Sequence, residues 1–180
     1  MNMKKLSVAV VVMLGLGVSA ANAADGALNF TGSVASGTCS VNSDSRALTV
    51  NFDAVSRANV IALGYSGTTS PDMQKTISIN LSGCPETFST AKINFEGAVS
   101  SYNANVLVGT TTAKYVGAII KDEAGNPITP NTFDGEFNSK AIVPGNNTLS
   151  YLVGISRTNI DYTPTTGTIN IPVTYTLSYQ

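Results

Sequence analysis

Over residues 168–179 apolar and polar side chains alternate, with Pro172 the one exception on the polar face. Ile169, Ile171, Val173, Tyr175, Leu177 and Tyr179 share one face; Thr168, Asn170, Pro172, Thr174, Thr176 and Ser178 share the other. A period of two with that contrast specifies a half-buried β-strand whose register is fixed, since a slip of one residue would exchange the faces. Pro172 has no amide to donate to a ladder and favours an edge position. The strand lies at the end of the sequence, so no later segment is expected to cover its open side. A long apolar edge is a template for pairing with another extended chain. A segment of matching alternation lies near the other end: Gly26, Leu28, Phe30, Gly32 and Val34 on one face, Ala27, Asn29, Thr31 and Ser33 on the other.

Residues 1–23 read as an export signal. Lys4 and Lys5 precede an apolar run over residues 6–18, and Ala21-Asn22-Ala23 supplies a small-x-small cleavage site. The run is too short for a helix crossing ~30 Å of hydrocarbon, which argues against a membrane anchor and against membrane insertion after removal of the signal. The exported chain is expected to begin near Ala24 with a net charge of −3, the two leader lysines having been lost from the ten basic residues. Cys39 and Cys84 are the only cysteines, and in an oxidising compartment one pair permits one disulfide. Closing so long a loop stabilises by roughly 4 kcal/mol on a chain-entropy estimate. The alternative is two unpaired thiols.

The 180 residues include no His and no Trp. Without imidazole there is no Ser-His-Asp triad, no Cys-His dyad and no imidazole-held metal. A G-x-S-x-G elbow is also missing, and Asp122-Glu123 beside Gly125-Asn126-Pro127 reads as a solvated loop, so no enzyme and no cofactor are expected. A charged fraction of 12% and a slight negative balance leave no basic footprint for nucleic acid. Strand patterns recur at residues 28–34, 47–52, 76–81, 92–95, 114–120, 148–155 and 168–179. Ser82-Gly83, Gly125-Asn126-Pro127, Phe133-Asp134-Gly135, Pro144-Gly145-Asn146 and Pro164-Thr165-Thr166-Gly167 read as turns between them. Residues 54–62 suit a short helix or an irregular crossover. The expected fold is all-β, an immunoglobulin-type sandwich, with a small barrel as the alternative.

Three patterns carry a family resemblance. Gly26-Ala27-Leu28-Asn29-Phe30-Thr31-Gly32-Ser33-Val34, followed by Cys39-Ser40-Val41, resembles the opening of chaperone–usher fimbrial subunits, the pilins of type 1-like shafts. Ser82-Gly83-Cys84 follows an alternating strand where that family places its second cysteine. Gly167, fourteenth from the end, and the penultimate Tyr179 match its chaperone-recognition signature.

The resemblance implies an incomplete immunoglobulin-like β-sandwich that lacks its last strand and is completed by donor-strand exchange. It implies a signal peptide at 1–23, an N-terminal donor extension at 24–35 and a pilin domain at 36–180. Gly26, Leu28, Phe30 and Gly32 are then the donor strand, with Leu28 and Phe30 filling the groove of a neighbour. Leu28 and Phe30 in an ordinary first strand, packed on their own core, is the other reading. Gly167, Ile169, Ile171, Val173, Tyr175, Leu177, Tyr179 and Gln180 are the acceptor groove and chaperone-binding strand. The implied partners are identical or sister subunits, a periplasmic chaperone that holds the Gln180 carboxylate, and an outer-membrane usher. The implied destination is a fimbria on the cell surface, supporting adhesion. A self-contained secreted β-sandwich that binds a carbohydrate or protein ligand is the alternative function.

Overall fold

The computed structural model describes residues 37–180. Its centre is the long antiparallel pair β2 (Gln74–Cys84) and β6 (Gly145–Arg157), in which Ile77 lies opposite Tyr151 and Ile79 opposite Leu149. Strand β1 (Ser40–Val41) pairs with β2 on one side, and β4 (Val116–Lys121) pairs with β6 on the other. The second sheet has the order β5 (Ser139–Ala141), β3 (Thr90–Glu96), β7 (Thr174–Tyr179), again antiparallel throughout. Among the described residues β7 is therefore an edge, as Pro172 predicts.

The two sheets bury one core between them. Ile79, Leu81, Leu149 and Tyr151 of the first meet Ala91, Ile93 and Phe95 of the second. Phe95 meets Tyr151 edge to face, with ring centroids 5.3 Å apart. The Tyr151 ring also carries the Lys140 ammonium at 4.7 Å. Its hydroxyl is buried with no hydrogen-bond partner among the described residues, and burial, followed by the Glu123 charge, pushes its pKa far above that of a free phenol. Removing a buried group that has no partner leaves nothing unsatisfied, so Tyr151→Phe is expected to stabilise the domain by about 1 kcal/mol, read as a higher urea midpoint at unchanged slope.

Cys39 and Cys84 are bonded to each other, joining the start of β1 to the end of β2. Beside Cys84 the expected turn at Ser82-Gly83 is instead a β-bulge. The register shifts between Leu81 and Cys84, with Gly83 at φ 64°, so the strand continues through the bulge to reach the disulfide. The expected strands at 76–81, 92–95 and 148–155 lie inside β2, β3 and β6. The strand expected at 114–120 begins only at Val116, because Tyr115 adopts φ 60°. A one-and-a-half-turn helix, α1 (Arg57–Ala62), forms within 54–62, its first turn capped by the Ser56 hydroxyl, which accepts from the Ala58 amide at 3.2 Å.

Two expected strands do not join ladders. Residues 47–52 pair with nothing among the described residues, and 168–173 lead into β7 without ladder bonds to β3. In the second case the chain pairs elsewhere. The Thr168 carbonyl accepts from Thr112 N at 2.9 Å, and Asn170 N donates to the Thr110 carbonyl at 3.2 Å. Pro164-Thr165-Thr166-Gly167, read as a turn, belongs to the same run, with Thr165 N donating to the Lys114 carbonyl at 3.1 Å.

Candidate functional site

The unpaired segments face each other. Residues 48–55 form one wall and 164–175 the other wall of an open groove of about 850 Å³. Its floor is apolar and comes from both sheets, with Ile77, Val153 and Ile155 on one side and Phe95 on the other. The walls run in opposite directions and are tied at both ends. The Tyr175 hydroxyl donates to the Ser45 carbonyl at 2.6 Å, and Arg57 Nε donates to the Pro164 carbonyl at 2.7 Å. Between those ties, among the described residues, the backbone of 47–55 and of 171–173 makes no backbone hydrogen bond. Backbone groups left without partners beside an apolar floor are the physical signature of a missing strand.

The C-terminal alternation is read out directly in burial. Ile169, Ile171, Val173, Tyr175, Leu177 and Tyr179 are half-buried, while Thr168, Asn170, Pro172, Thr174 and Thr176 are exposed. Gly167, Ile169, Ile171, Val173 and Tyr175 line the groove. Leu177 and Tyr179 continue the same face into the main core, where Tyr179 meets Phe88 at 5.8 Å. Burial raises the Tyr175 pKa, opposed by Arg46 and reinforced by Asp44. Burial also raises that of Tyr179, with Tyr175 adding to the shift. Both phenols therefore stay protonated, and Tyr175 remains a donor to Ser45. The backbone oxygen of Gln180 accepts from the amides of Ser89 at 2.8 Å and Thr90 at 2.9 Å, which stitches the chain end to the start of β3. Gly26, Leu28, Phe30 and Gly32 lie outside the described residues.

Glycines let the second wall approach. A Cβ on Gly109 would lie 2.2 Å from the Asn170 carbonyl oxygen and 2.8 Å from Ile171 Cα, and both are backbone atoms that cannot swing aside. Gly109→Ala is expected to displace the wall and destabilise the domain by about 2 kcal/mol, measured by denaturant unfolding. Sequence reasoning did not find Gly109, because nothing local marks a glycine needed for a contact so far along the chain. It also missed Arg157, buried at the end of β6. Arg157 donates to the carbonyls of Ile61, Leu63, Ile160 and Tyr162 at 2.8–3.2 Å.

The chemistry of a nucleophile is not assembled here. Ser89-Thr90-Ala91-Lys92 has the Ser-x-x-Lys spacing, but it runs into β3, where positions three apart point to opposite faces. Lys92 pairs instead with Asp134 at 3.3 Å. Among the described residues no helix is long and apolar enough to cross a membrane.

The family model for fimbrial protein matches residues 28–180. The chain is 30% identical over 184 residues to the fimbria A protein of Serratia marcescens, covering all of both chains. Its fold resembles the P pilus rod subunit PapA, with a TM-score of 0.64 at 20% identity, over 80% of this chain and all of that one. It also resembles an antigen and type I fimbria protein of Burkholderia pseudomallei, with a TM-score of 0.54 at 25% identity, over 84% and 96% of the two chains. The two antiparallel sheets are thus the incomplete immunoglobulin-like sandwich of the pilins, all-β as the alternation requires. The breadth of the family match and the full-length relative place the chain in the fimbrial protein family, as a non-enzymatic structural subunit of a surface fimbria.

Proposed function

We propose that the groove is an acceptor for an extended strand and that the subunit polymerises by donor-strand complementation. The observation that carries this is the pair of unbonded walls over an apolar floor. A small-molecule site needs convergent polar groups to orient its ligand, and this floor offers none. Main-chain pairing along the walls, with alternate side chains entering the floor, is the chemistry of β-augmentation. The occupant in the fibre is the segment 24–35 of a neighbouring subunit, identical or a sister. Gly26, Leu28, Phe30 and Gly32 match in number the inward positions Ile169, Ile171, Val173 and Tyr175. Each large side chain buried there contributes about 1.5–3 kcal/mol beyond the backbone pairing.

Before assembly the same edge needs cover, which a periplasmic chaperone supplies by pairing along 167–180 until an outer-membrane usher exchanges it for the next subunit. Residues 1–23 direct that export and are removed. The finished fibre stands on the cell surface and supports adhesion. The decisive measurement is thermal unfolding of the domain 37–180, with and without a synthetic peptide spanning 24–36. A large, slowly reversible rise in melting temperature is the expected result. A stable domain indifferent to the peptide would overturn the reading in favour of a complete binding module. An unstable domain that ignores this peptide but responds to a sister subunit's would overturn only the identity of the donor.

A further inference from the structure

The registers give the domain two distinct ends. At one, Gly145 lies opposite Cys84, which is bonded to Cys39, and Gln180 meets Thr90. At the other, Val116 lies opposite Arg157, with Tyr115 and the loop 158–163 beyond them. This second end carries a group of tyrosines from distant parts of the chain. Tyr115 and Tyr162 stack at 4.8 Å with their planes 9° apart, and Tyr102 packs against Tyr162 at 5.8 Å. Tyr115 is held there by its left-handed backbone and by its carbonyl, which accepts from Thr158 N at 3.1 Å. Tyr102, Tyr162 and Ile160 are about half exposed, and Tyr65 on the neighbouring loop is 73% exposed. So much exposed apolar and aromatic surface in one place marks a contact site.

The second wall of the groove enters at the tyrosine end, where Thr165 N donates to the Lys114 carbonyl, and β7 runs to Gln180 at the disulfide end. A strand added antiparallel to it, continuing the alternation of the β5–β3–β7 sheet, leaves the groove at the tyrosine end. The residues from Gly32 to Cys39 then reach at most roughly 25 Å before the donor's own disulfide. The acceptor's tyrosine end is thereby kept within roughly 25 Å of the donor's disulfide end. That end presents Val143, 61% exposed at the tip of the β5–β6 turn. The Asn147 side chain fixes the turn, accepting from Val143 N at 2.9 Å and donating to its carbonyl at 2.7 Å.

Resting on the donor-strand reading, we propose that the tyrosine patch docks the disulfide end of a second copy of this chain. The contact is head-to-tail: one subunit's Tyr65, Tyr102, Ile160 and Tyr162 receive the next subunit's Val143 turn. Such a contact does not close on itself and repeats along a fibre.

The test uses fibres assembled from the full chain with a photoreactive benzophenone amino acid at Tyr102 and, in a separate preparation, at Leu28. The Tyr102 probe is expected to crosslink to residues 83–89 or 141–147 of the neighbouring subunit. Crosslinks confined to its own subunit, to the neighbour's opposite end, to a non-subunit molecule, or to nothing would overturn the proposal. The Leu28 probe reads the underlying assumption independently. If it crosslinks to the groove while Tyr102 misses the second copy, the docking surface fails alone; if Leu28 misses the groove, both readings fall. Val143→Asp, at an exposed turn tip that leaves the core untouched, is a second check. It is expected to shorten the half-life of sheared fibres by about tenfold, and an unchanged half-life would count against the contact.

Discussion

Leu28→Asp and Phe30→Asp are each expected to abolish fibre assembly, removing the high-mass ladder from unheated detergent gels while folded subunit still accumulates. The size of the effect follows from the groove. A carboxylate entering a floor of Ile77, Phe95, Val153 and Ile155 finds no cation there. Its burial costs several kcal/mol, and the aliphatic or aromatic contribution of about 1.5–3 kcal/mol is lost as well. Together they weaken the joint by more than about a thousandfold. Asn29→Asp introduces the same charge on the opposite face of the alternation and is expected to leave the ladder intact. That control separates groove filling from a general effect of charge near the N-terminus. Normal ladders from both charged variants would end the donor assignment.

Arg157→Ala is expected to destabilise the peptide-completed domain by about 3–5 kcal/mol, a cost typical of breaking a buried charged network. The guanidinium sits at the end of β6 and gathers four carbonyls from two separate segments, the end of α1 and the loop 158–163. Among the described residues its partners are carbonyls and not a carboxylate, so it acts as a planar set of donors and not as half of an ion pair. Removing it leaves four buried or half-buried acceptors to find water. The consequence reaches the groove because those two segments adjoin Val60 and Pro164, which line it. Arg157→Lys is expected to recover less than half the loss, since an ammonium cannot meet acceptors spread across a plane. Chemical denaturation of the completed domain measures both. A change within about 1 kcal/mol for the alanine variant would mean the loops are held by other contacts, and a melting point lowered by about 10 °C would match the expectation.

Periodicity told which side of each strand faces inward, and it did so best where the contrast was greatest. Ile169 through Leu177 alternate in burial as they alternate in character, and only Ser178, half-buried beside Tyr179, departs from the pattern. It did not tell which segments pair. Residues 47–52 and 168–173 have strand patterns but no ladder, because alternation records the environment of side chains while a ladder also needs a neighbouring backbone. Asn138 was illegible for a related reason. It is fully buried, donates to the carbonyls of Thr129 and Thr132 in its own loop and of Ile93 on β3, and accepts from Thr129 N, so its importance arises from how that loop folds back and lands on β3. Tyr65, Tyr102, Tyr115 and Tyr162 look like isolated aromatics until the topology brings three loops to one end. The cysteines were easier, since two in an exported chain leave one pairing.

The disulfide also decides how such a fibre carries load. If subunits are joined through residues 24–35 as proposed, tension enters each domain at Cys39. Strand β1 has only two residues and would peel from β2 readily on its own. The Cys39–Cys84 bond bypasses it, delivering the pull to the far end of β2, which lies alongside β6 over most of its length. Force along the strand axis must then shear many backbone bonds together instead of opening them one at a time. The segment between the cysteines, which lie 45 positions apart, is spared from the line of tension. In a reducing environment that loop would join the line and add up to roughly 150 Å of slack per subunit. Pulling single fibres before and after reduction would therefore reveal a spring that lengthens in steps of that size.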